Sequence, residues 1–502
     1  MYINSVYYNF IAYIHSEVYK FMLSIQQVSN GKHSHWVMFD TNTCMPTLYP
    51  TMYYISELAT RAPETQKKTL YALTYFYKFW ERKYGMSFCH YLLRNNYDLA
   101  EPIVELDNFF EFLCSNQHLH DNPIDGATHY LDLASGSAKK TNAGRVRTAI
   151  RFLKYLSRTY ATVKYLDISV SDCKKLRSQY EQDLISISKR LNLIEKSSES
   201  RDRKPLYQSI PKAMRQAIMV ITIPSTPNKP NSRNPFSSTY LQIRNDLLIR
   251  LYFYYGLRAA EVLLLDTRSY KMSAPDPRGV VSYSLVVTNR EEGVIDKRTR
   301  QPSIKTRHSH RIVSLSKRDY LHLKGFTEQY RNQHFSDGIH HDHGYIFTSS
   351  VAPFNPLSYE TVRDIFQALD SSLTKHFPMF RDTELYLNLP KLTPKVARHT
   401  WAYEQLNHLY TSERRKAIEI AASTGQVLNN KEIMANAVNT LRSQGGWSEN
   451  SKMPMRYARR FFDEQGNFQN LDRIDTDSFE IQRSFEAHLD TEETETTFYE
   501  FK

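Results

Sequence analysis

A segment rich in proline, asparagine and serine interrupts the chain at residues 224–235, where it reads PSTPNKPNSRNP. Proline removes backbone hydrogen-bond donors, and the polar side chains around it offer little surface to bury, so this stretch cannot form the inside of a core. The chain has 502 residues, which is enough for two or three domains. The segment therefore predicts a linker at 223–236, with folded domains before and after it.

Helical periodicity dominates the chain before the linker. Apolar residues recur at three- and four-residue intervals from about Pro63 onward, and they predict further helices at about 104–116, 142–160 and 171–195. Basic residues lie at the helix predicted for about 142–160, on faces other than the apolar one; the candidates for DNA contact are Lys139, Lys140, Arg145 and Arg147. We therefore expect a helical DNA-binding domain at 61–222, although a scaffold whose lysines only solvate it would show the same pattern.

Residues 1–60 have a different pattern. Apolar residues from Tyr7 to Ile25 fall at helical spacing and predict an amphipathic helix, whereas residues 35–57 favour short strands and turns. Charged residues interrupt the apolar run, which argues against a signal peptide, and no segment is apolar enough to span a membrane. We expect 1–60 to contact DNA or a partner protein, and both alternatives stay open.

The charge of the chain is unevenly distributed. The net charge is +12, but residues 463–502 contain 12 acidic and 3 basic side chains, which leaves +21 on residues 1–462. A body this basic attracts polyanions such as DNA, although a basic surface that binds nothing stays an alternative. The acidic segment 463–502 is predicted to be a tail, which could dock on a neighbouring protomer of opposite charge.

Four cysteines are widely spaced, with no CxxC pair among them; they are Cys44, Cys89, Cys114 and Cys173. Zinc ribbons and disulfide frameworks need paired or regularly spaced cysteines, so the pattern argues against both. Widely spaced cysteines without a framework favour a reducing compartment such as the cytoplasm.

A polar loop contains several side chains that could bind a metal, namely His334, His340, His341, Asp342 and His343. They precede a strand-like run at 345–347 and lack the spacing that would place them on one helix face. A solvated loop is therefore the simpler interpretation, and no metal is predicted.

After the linker, five residues of distinct chemistry follow one another in order. A helix at about 238–255 leads into GLRAAE, and strand-like runs follow at 280–289 and 310–316. The ordered residues are Arg258 in GLRAAE, Lys305 in KTRHSHR, Arg398 in KVARHTW, Trp447 in GGWSE and Tyr457 in MRYARR. Arginine donates two coplanar hydrogen bonds and stays charged, which suits the oxygens of a phosphate. With a tyrosine as nucleophile, the set indicates an enzyme that opens a DNA phosphodiester.

These segments resemble the sequence boxes of the tyrosine recombinase (phage integrase) family, and the resemblance extends over most of the chain. GLRAAEVLLL is similar to the family's first arginine box, with Glu261 at its acidic position. IKTRHSHRIVSLS is similar to its β-hairpin lysine segment, LTPKVARHTWA to its second arginine box, and GGWSENSKMPMRYARR to the box of the nucleophile. The helical domain before the linker fits the family's core-binding domain.

The resemblance implies a role for each matched residue. Arg258 and Arg398 would bind the scissile phosphate and stabilise its transition state. Lys305 would protonate the 5′ leaving oxygen as a general acid. Tyr457 would attack the phosphorus and form a 3′-phosphotyrosyl link that retains the bond energy for religation. This chemistry needs neither a metal nor a nucleotide cofactor.

Three features depart from the family pattern. Lys395 stands where most members have histidine, although some relatives, including poxvirus-type topoisomerases, resemble this chain in having lysine there. A lysine can donate to a phosphate oxygen but is a poor base at pH 7. Trp447 replaces a commoner histidine and donates one hydrogen bond through its indole N–H. Forty-nine positions separate Arg398 from Trp447, which predicts an inserted helical segment at 411–440. His399 would bind a phosphate or orient Arg398, unless it is simply packed.

The expected protein is mainly α with a small β-sheet (α+β), and its core-binding domain and catalytic domain (237–462) would form a clamp around double-stranded DNA. The leading hypothesis is a site-specific recombinase or integrase of a bacterium or mobile element, cytoplasmic and nucleoid-associated. It would act as a homotetramer on two duplexes, with accessory recombinases as further partners. Two alternatives stay open: a type IB topoisomerase with the same residues, and a DNA-binding accessory factor with a degenerate active site.

Overall fold

The structure is a computed structural model in which two compact units divide the chain between Asp202 and Arg203. It describes residues 23–29, 34–115, 136–162, 166–197, 205–289, 296, 298, 300–304, 306–386, 388–425 and 429–499. At 29, 34, 136–137, 195–197 and 484–499 the description covers the backbone alone. Each unit is mainly helical and contains one small antiparallel sheet, as expected for the α+β class.

The first unit has six described helices and a three-stranded sheet. The helices are α1 (Leu48–Tyr53), α2 (Pro63–Tyr84), α3 (Phe88–Arg94), α4 (Ala100–Cys114), α5 (Gly136–Thr159) and α6 (Val170–Ser197), with a π-helical turn at Tyr54–Leu58. The strands β1 (Leu23–Ser29), β2 (Ser34–Asp40) and β3 (Met45–Pro46) pair in that order.

Helix α2 shows how the sequence determines the first unit. It begins with Pro63 at its first position, where the missing N–H costs nothing, and ends at Gly85, whose φ of 66° lies in the left-handed region. The apolar stripe predicted for it is buried and consists of Leu70, Leu73, Phe76, Tyr77 and Trp80. The ring centroid of Phe76 lies 5.0 Å from that of Phe88 and 5.4 Å from that of Phe109, both edge-on. The core of this unit is therefore largely aromatic.

The expectations for the first 60 residues are met in part. The helix expected at 7–25 lies mostly outside the described residues, and its end is wrong, because Ile25 belongs to β1 and pairs with Met38 of β2. Strands within 35–57 are confirmed as β2 and β3. The rest of that range is helical from Leu48–Tyr53 onward, because this helix buries three of its six residues.

The second unit has nine described helices and a second three-stranded sheet. The helices are α7 (Lys212–Thr222), α8 (Thr239–Tyr255), α9 (Ala259–Leu264), α10 (Lys317–Phe326), α11 (Tyr359–His376), α12 (Pro394–Thr424), α13 (Asn430–Gln444), α14 (Met453–Tyr457) and α15 (Arg459–Tyr499). The strands β4 (Tyr270–Met272), β5 (Tyr283–Val287) and β6 (Arg311–Leu315) pair in that order. Leu285 is opposite Val313, and the strands expected at 280–289 and 310–316 are confirmed.

Helix α7 belongs to the second unit although it precedes the predicted linker. Its residues Met214 and Ile218 share a core with Leu248 and Tyr252 of α8. The two units therefore divide about twenty residues before the predicted linker at 223–236, because the apolar face of α7 is covered by α8 rather than by the helices that precede it.

The acidic tail predicted at 463–502 continues a helix, α15, that begins at Arg459 and is described as far as Tyr499. Its 41 residues correspond to a length of about 60 Å. Side chains at 466–483 are exposed. Across the described ranges, no helix combines the length and the apolar character needed to cross a bilayer.

Candidate active site

The first arginine box forms the junction between α8 and α9. Helix α8 ends at Gly256, which has a φ of 59°, and Arg258 is the N-cap residue of α9. Glu261, in the first turn of α9, accepts hydrogen bonds from the backbone N–H of Arg258 at 2.8 Å and from its Nη1 at 2.5 Å. One carboxylate therefore caps the helix and orients the arginine side chain.

Glycine at position 256 is required by both conformation and space, because a Cβ there would overlap the indole of Trp401. We expect Gly256→Ala to lower the free energy of unfolding by roughly 3 kcal/mol, since the left-handed conformation costs about 1–2 kcal/mol and overpacking a similar amount. Gly425→Ala is the matched control, because Gly425 has a φ of 69° but a Cβ there would meet no atom within 4 Å. Urea denaturation of both variants separates the two costs; equal losses would contradict the steric argument.

Arg398 lies in the first turns of α12, which begins after Thr393, whose side chain caps the helix. The residue is only 2% exposed. Its Nη1 donates to the carbonyl of Gly256, and its Nη2 donates to the carbonyl of Gly445 at 2.6 Å. Its buried Nε has no hydrogen-bond partner among the described residues. Arg398 is therefore bonded through backbone carbonyls to the first arginine box and to the box of the nucleophile. It forms no ion pair with a carboxylate in the described part of the chain.

A third arginine, Arg311, belongs to the same cluster and was not predicted from the sequence. Its Nη1 and Nη2 each donate to a carboxylate oxygen of Glu261 at 3.0 Å, and its Nε donates to the carbonyl of Gln444 at 2.9 Å. The strand pattern contained a signal for it, because Arg311 shares the inward face of β6 with Val313 and Leu315. A charged residue at an inward strand position needs a buried partner, and that partner is Glu261.

The charges of the cluster do not balance. Burial alone would raise the pKa of Glu261, but hydrogen bonds and charge from Arg311, with the charges of Arg258 and Arg398, hold that pKa at about 2. Burial lowers the pKa of Arg398 to about 9, and the charges of Arg258 and Arg311 act in the same direction. At neutral pH, three guanidinium groups therefore share one carboxylate, and an anion placed among them would be stabilised.

The segment from Gly445 to Tyr457 closes over Arg398. The indole of Trp447 is centred 4.6 Å from Cζ of Arg398 and the ring of Tyr457 is centred 5.6 Å from it. The two aromatic rings are 5.4 Å apart. A Cβ at Gly446, where φ is 61°, would lie 2.9 Å from Nη1 of Arg311, so this position also needs glycine.

His399 contacts both the ring and the backbone of Tyr457. Its ring stacks on that of Tyr457 at 4.2 Å, and its Nδ1 lies 3.1 Å from the backbone carbonyl of Tyr457. A carbonyl only accepts, so Nδ1 carries the proton. Burial, with the charges of Lys395, Arg456 and Arg398, lowers the pKa of His399 to about 4, against the hydrogen bond to that carbonyl. The imidazole is therefore neutral at pH 7 and positions the tyrosine.

One of the two predicted lysines, Lys395, stands apart from this cluster. Lys395 is exposed in the first turn of α12, and no described residue forms a hydrogen bond or ion pair with it. Its charge nevertheless reaches His399. Lys305 lies outside the described residues. The predicted catalytic residues that meet in the structure are Arg258, Arg398, Trp447 and Tyr457.

The long interval between Arg398 and Trp447 is occupied by a helical hairpin. Helix α12 continues past the site to Thr424, and α13 returns along it so that Leu406 and Leu441 share one small core with Trp447. The helical character predicted for 411–440 is confirmed at 411–424 and 430–440. Beyond this core, the end of α12 is largely exposed.

The four basic residues proposed to contact DNA lie on α5 of the first unit. Lys140 is exposed and Lys139 half-buried. The guanidinium of Arg145 lies 4.1 Å from the ring centre of Tyr75, and Nη2 of Arg147 donates to the side-chain oxygen of Asn192 at 2.8 Å. The two arginines are thus partly engaged within the unit.

The histidine-rich loop is held by packing. Asp342 pairs with the buried Arg331, and the ring of His334 stacks on Phe354 at 4.1 Å. His343 contacts the carbonyl of Phe354 through its Nε2 at 3.0 Å. Within the described residues, no group of three or more histidine, cysteine or acidic side chains could hold a metal ion.

Comparison with known proteins adds little to this geometry. No model of a known protein family matches the chain, and no curated protein matches it in sequence. Among solved structures, it is similar to a XerH site-specific recombinase bound to its difH substrate in a pre-cleavage complex, with 12% identity and a TM-score of 0.27. That match covers 68% of this chain and 95% of the other. A TM-score this low does not establish a shared fold, so the functional case rests on the site.

Proposed function

We propose that this chain breaks and rejoins DNA through Tyr457, in the manner of tyrosine recombinases. The observation that supports this most directly is the convergence of Arg258, Arg398, Trp447 and Tyr457 around one buried guanidinium. These residues are spread over about two hundred positions of the chain. Their order resembles that of the recombinase boxes. Packing of the core alone would not be expected to bring together the same four residues that the boxes share.

The excess positive charge is the second argument. Arg258 is 30% exposed at its side chain, so its guanidinium is accessible to a ligand, whereas Arg398 and Arg311 are nearly buried. A phosphodiester is a monoanion with two non-bridging oxygens, which match the paired donors of guanidinium groups. The phosphate would replace some of the carbonyl contacts of Arg398 and lessen the mutual repulsion of the arginines.

In the proposed reaction, the Tyr457 oxygen forms a bond to phosphorus while the bond from phosphorus to the 5′ oxygen breaks. Lys305 gives a proton to that oxygen, and the tyrosine proton passes to solvent. One phosphate ester replaces another, so a 5′ hydroxyl can reverse the step without an external energy source. Arg258 and Arg398 would stabilise the charge on the phosphorane-like transition state.

Strand exchange between two sites extends this chemistry. We propose a homotetramer on two DNA duplexes, because exchanging both strands of two duplexes requires four cleavages, with accessory recombinases as further partners. A type IB topoisomerase would use the same residues for one cut and release. The lysine at position 395, where most family members have histidine, and the long interval between Arg398 and Trp447 favour a second candidate, a DNA-binding accessory factor whose active site is degenerate.

Covalent trapping tests the proposal. The full chain is incubated with nicked suicide duplexes that tile the DNA flanking its gene, and adducts are separated on a denaturing gel. Cleavage after Glu449 and Glu464 releases a 15-residue peptide in which Tyr457 is the one tyrosine, so mass spectrometry can assign the attachment. A nucleotide on this peptide is the expected result.

Other outcomes have definite meanings. An adduct on a different tyrosine would show that the nucleophile is misassigned. Binding without any adduct would favour the accessory factor. Recombinant products from paired sites, compared with relaxation of a supercoiled plasmid that lacks them, separate a recombinase from a topoisomerase.

A further inference from the structure

A second candidate binding site lies within the first unit. A cavity of about 870 Å³ opens between the π-helical turn after α1, the start of α2, and helices α5 and α6. This volume falls within the range of small-molecule sites, roughly 300–1,000 Å³. None of the residues that line the cavity belongs to the site around Tyr457.

The cavity is strongly basic. Its basic side chains are Arg61, Arg151, Lys154, Arg158, Lys174 and Arg177. Two carboxylates, Glu57 and Glu181, also line it, so its net formal charge is +4. Glu57 lies 3.3 Å from Arg158 and Glu181 lies 3.9 Å from Lys154. The remaining four cations form no ion pair with any described residue.

Two of these arginines are fixed in place by neutral partners. Arg177 donates through Nε to the carbonyl of Ala161 at 2.8 Å and through Nη2 to the carbonyl of Arg158 at 3.1 Å. Arg151 donates through Nη2 to the hydroxyl of Thr148 at 3.0 Å. In each case the N–H groups of Nη1 can donate to a ligand. Because the side chain is already held in place, binding costs less conformational entropy.

The floor of the cavity combines apolar surface with hydroxyl groups. Tyr53, Leu58, Ser157 and Leu184 line it and are each at most 6% exposed. Burial raises the pKa of Tyr53 and the charge of Glu57 acts in the same direction, whereas the charges of Arg151, Arg158 and Arg61 lower it. Three arginines and one carboxylate therefore lie close enough to act on one hydroxyl at the floor of the cavity.

We infer that this cavity binds a small ligand that carries more than one phosphate group, such as a nucleoside triphosphate. Phosphates would meet the free donors of Arg151 and Arg177 and the exposed Arg61 and Lys174, and the apolar floor would contact the rest of the ligand. A duplex would also bring phosphates, but a double helix is too wide to reach the floor residues, which are at most 6% exposed, whereas a small ligand can contact them. This inference is independent of the proposed function.

Isothermal titration calorimetry of the full chain tests the inference, with inorganic tripolyphosphate and ATP as probes in metal-free buffer. The test variant combines Arg151→Gln and Lys174→Gln, at two exposed positions. Lys189→Gln is the matched control, because Lys189 is exposed on α6 but does not line the cavity. We expect one saturable site per chain, weakened at least about tenfold in the double variant and unchanged in the control.

Three results would overturn the inference. The first is the absence of saturable binding of either probe to the wild-type chain. The second is equal weakening in Lys189→Gln, which would indicate general attraction of polyanions. The third concerns a random duplex of about 20 base pairs. If this duplex competes with tripolyphosphate, and if the double variant loses as much affinity for the duplex as for tripolyphosphate, the cations bind DNA rather than a small ligand. Tighter binding of ATP than of tripolyphosphate would support a nucleotide, since only ATP uses the apolar floor.

Discussion

Replacing Tyr457 with phenylalanine is expected to abolish covalent attachment to DNA while leaving the affinity for DNA nearly unchanged. The variant loses only the hydroxyl, which no described residue hydrogen-bonds, and keeps the ring that stacks on His399 at 4.2 Å. Phenylalanine has no nucleophile, so the rate of adduct formation should fall by at least about a thousandfold. The rate is measured on denaturing gels with suicide duplexes, and affinity by fluorescence anisotropy.

Tyr410→Phe is the matched control for this experiment. The ring of Tyr410 packs against Phe461 at 5.6 Å, in the same small core as Trp447. The control removes one hydroxyl from that region and should form the adduct at the wild-type rate. Efficient attachment by Tyr457→Phe, or an equal loss in both variants, would contradict the assignment of Tyr457 as the nucleophile.

Glu261→Gln is expected to destabilise the second unit by about 3–5 kcal/mol, because it leaves buried guanidinium groups without their carboxylate. Glu261 is 1% exposed and receives two hydrogen bonds from Arg311 and two from Arg258. Urea denaturation monitored by tryptophan fluorescence measures the loss, in which Trp401 and Trp447 report on the second unit and Trp36 and Trp80 on the first. Asp364→Asn is the control, because its pair with Arg363 is exposed and should contribute at most about 1 kcal/mol.

The loss in Glu261→Gln should depend on pH. The pKa of Glu261 is depressed from its ordinary value of 4.5 to about 2 in the folded protein. Its charge therefore stabilises the fold fully above pH 4.5, and this contribution disappears as the pH falls toward 2. The difference between wild type and variant should narrow over the same interval. A difference independent of pH would indicate that the packing of Glu261, rather than its charge, is what matters.

Much of the fold is predictable from apolar periodicity. The stripe of α2 and the alternation of β5 and β6 are strong local patterns, and both predict the elements that form. Strand β1 is not predicted, because the apolar residues near Ile25 fit the spacing of a helix as well as the alternation of a strand. Pairing with β2 decides between the two, and pairing partners are not visible in a local window.

The predicted site shows a similar limit. Residue order anticipates that Arg258, Arg398, Trp447 and Tyr457 meet, because each falls in a recognisable box. It does not anticipate that Arg398 is held by carbonyl groups, since every residue has one and none is marked in the sequence. Arg311 is not predicted, because it lies among other basic residues in the segment that resembles the β-hairpin lysine box. Only its pairing with the buried carboxylate of Glu261 distinguishes it from those neighbours.

The helical hairpin of α12 and α13 changes what the spacing of the boxes means. Because the two arms run side by side, lengthening both by one turn would add about seven residues at the tip and leave Arg398 and Trp447 where they are. The interval of forty-nine positions between those residues thus reflects the length of the helical hairpin, and not the distance between the two residues at the site. Relatives of this chain can accordingly be expected to differ in that interval by whole turns, and the tip offers a place to attach a reporter at a distance from the arginine cluster.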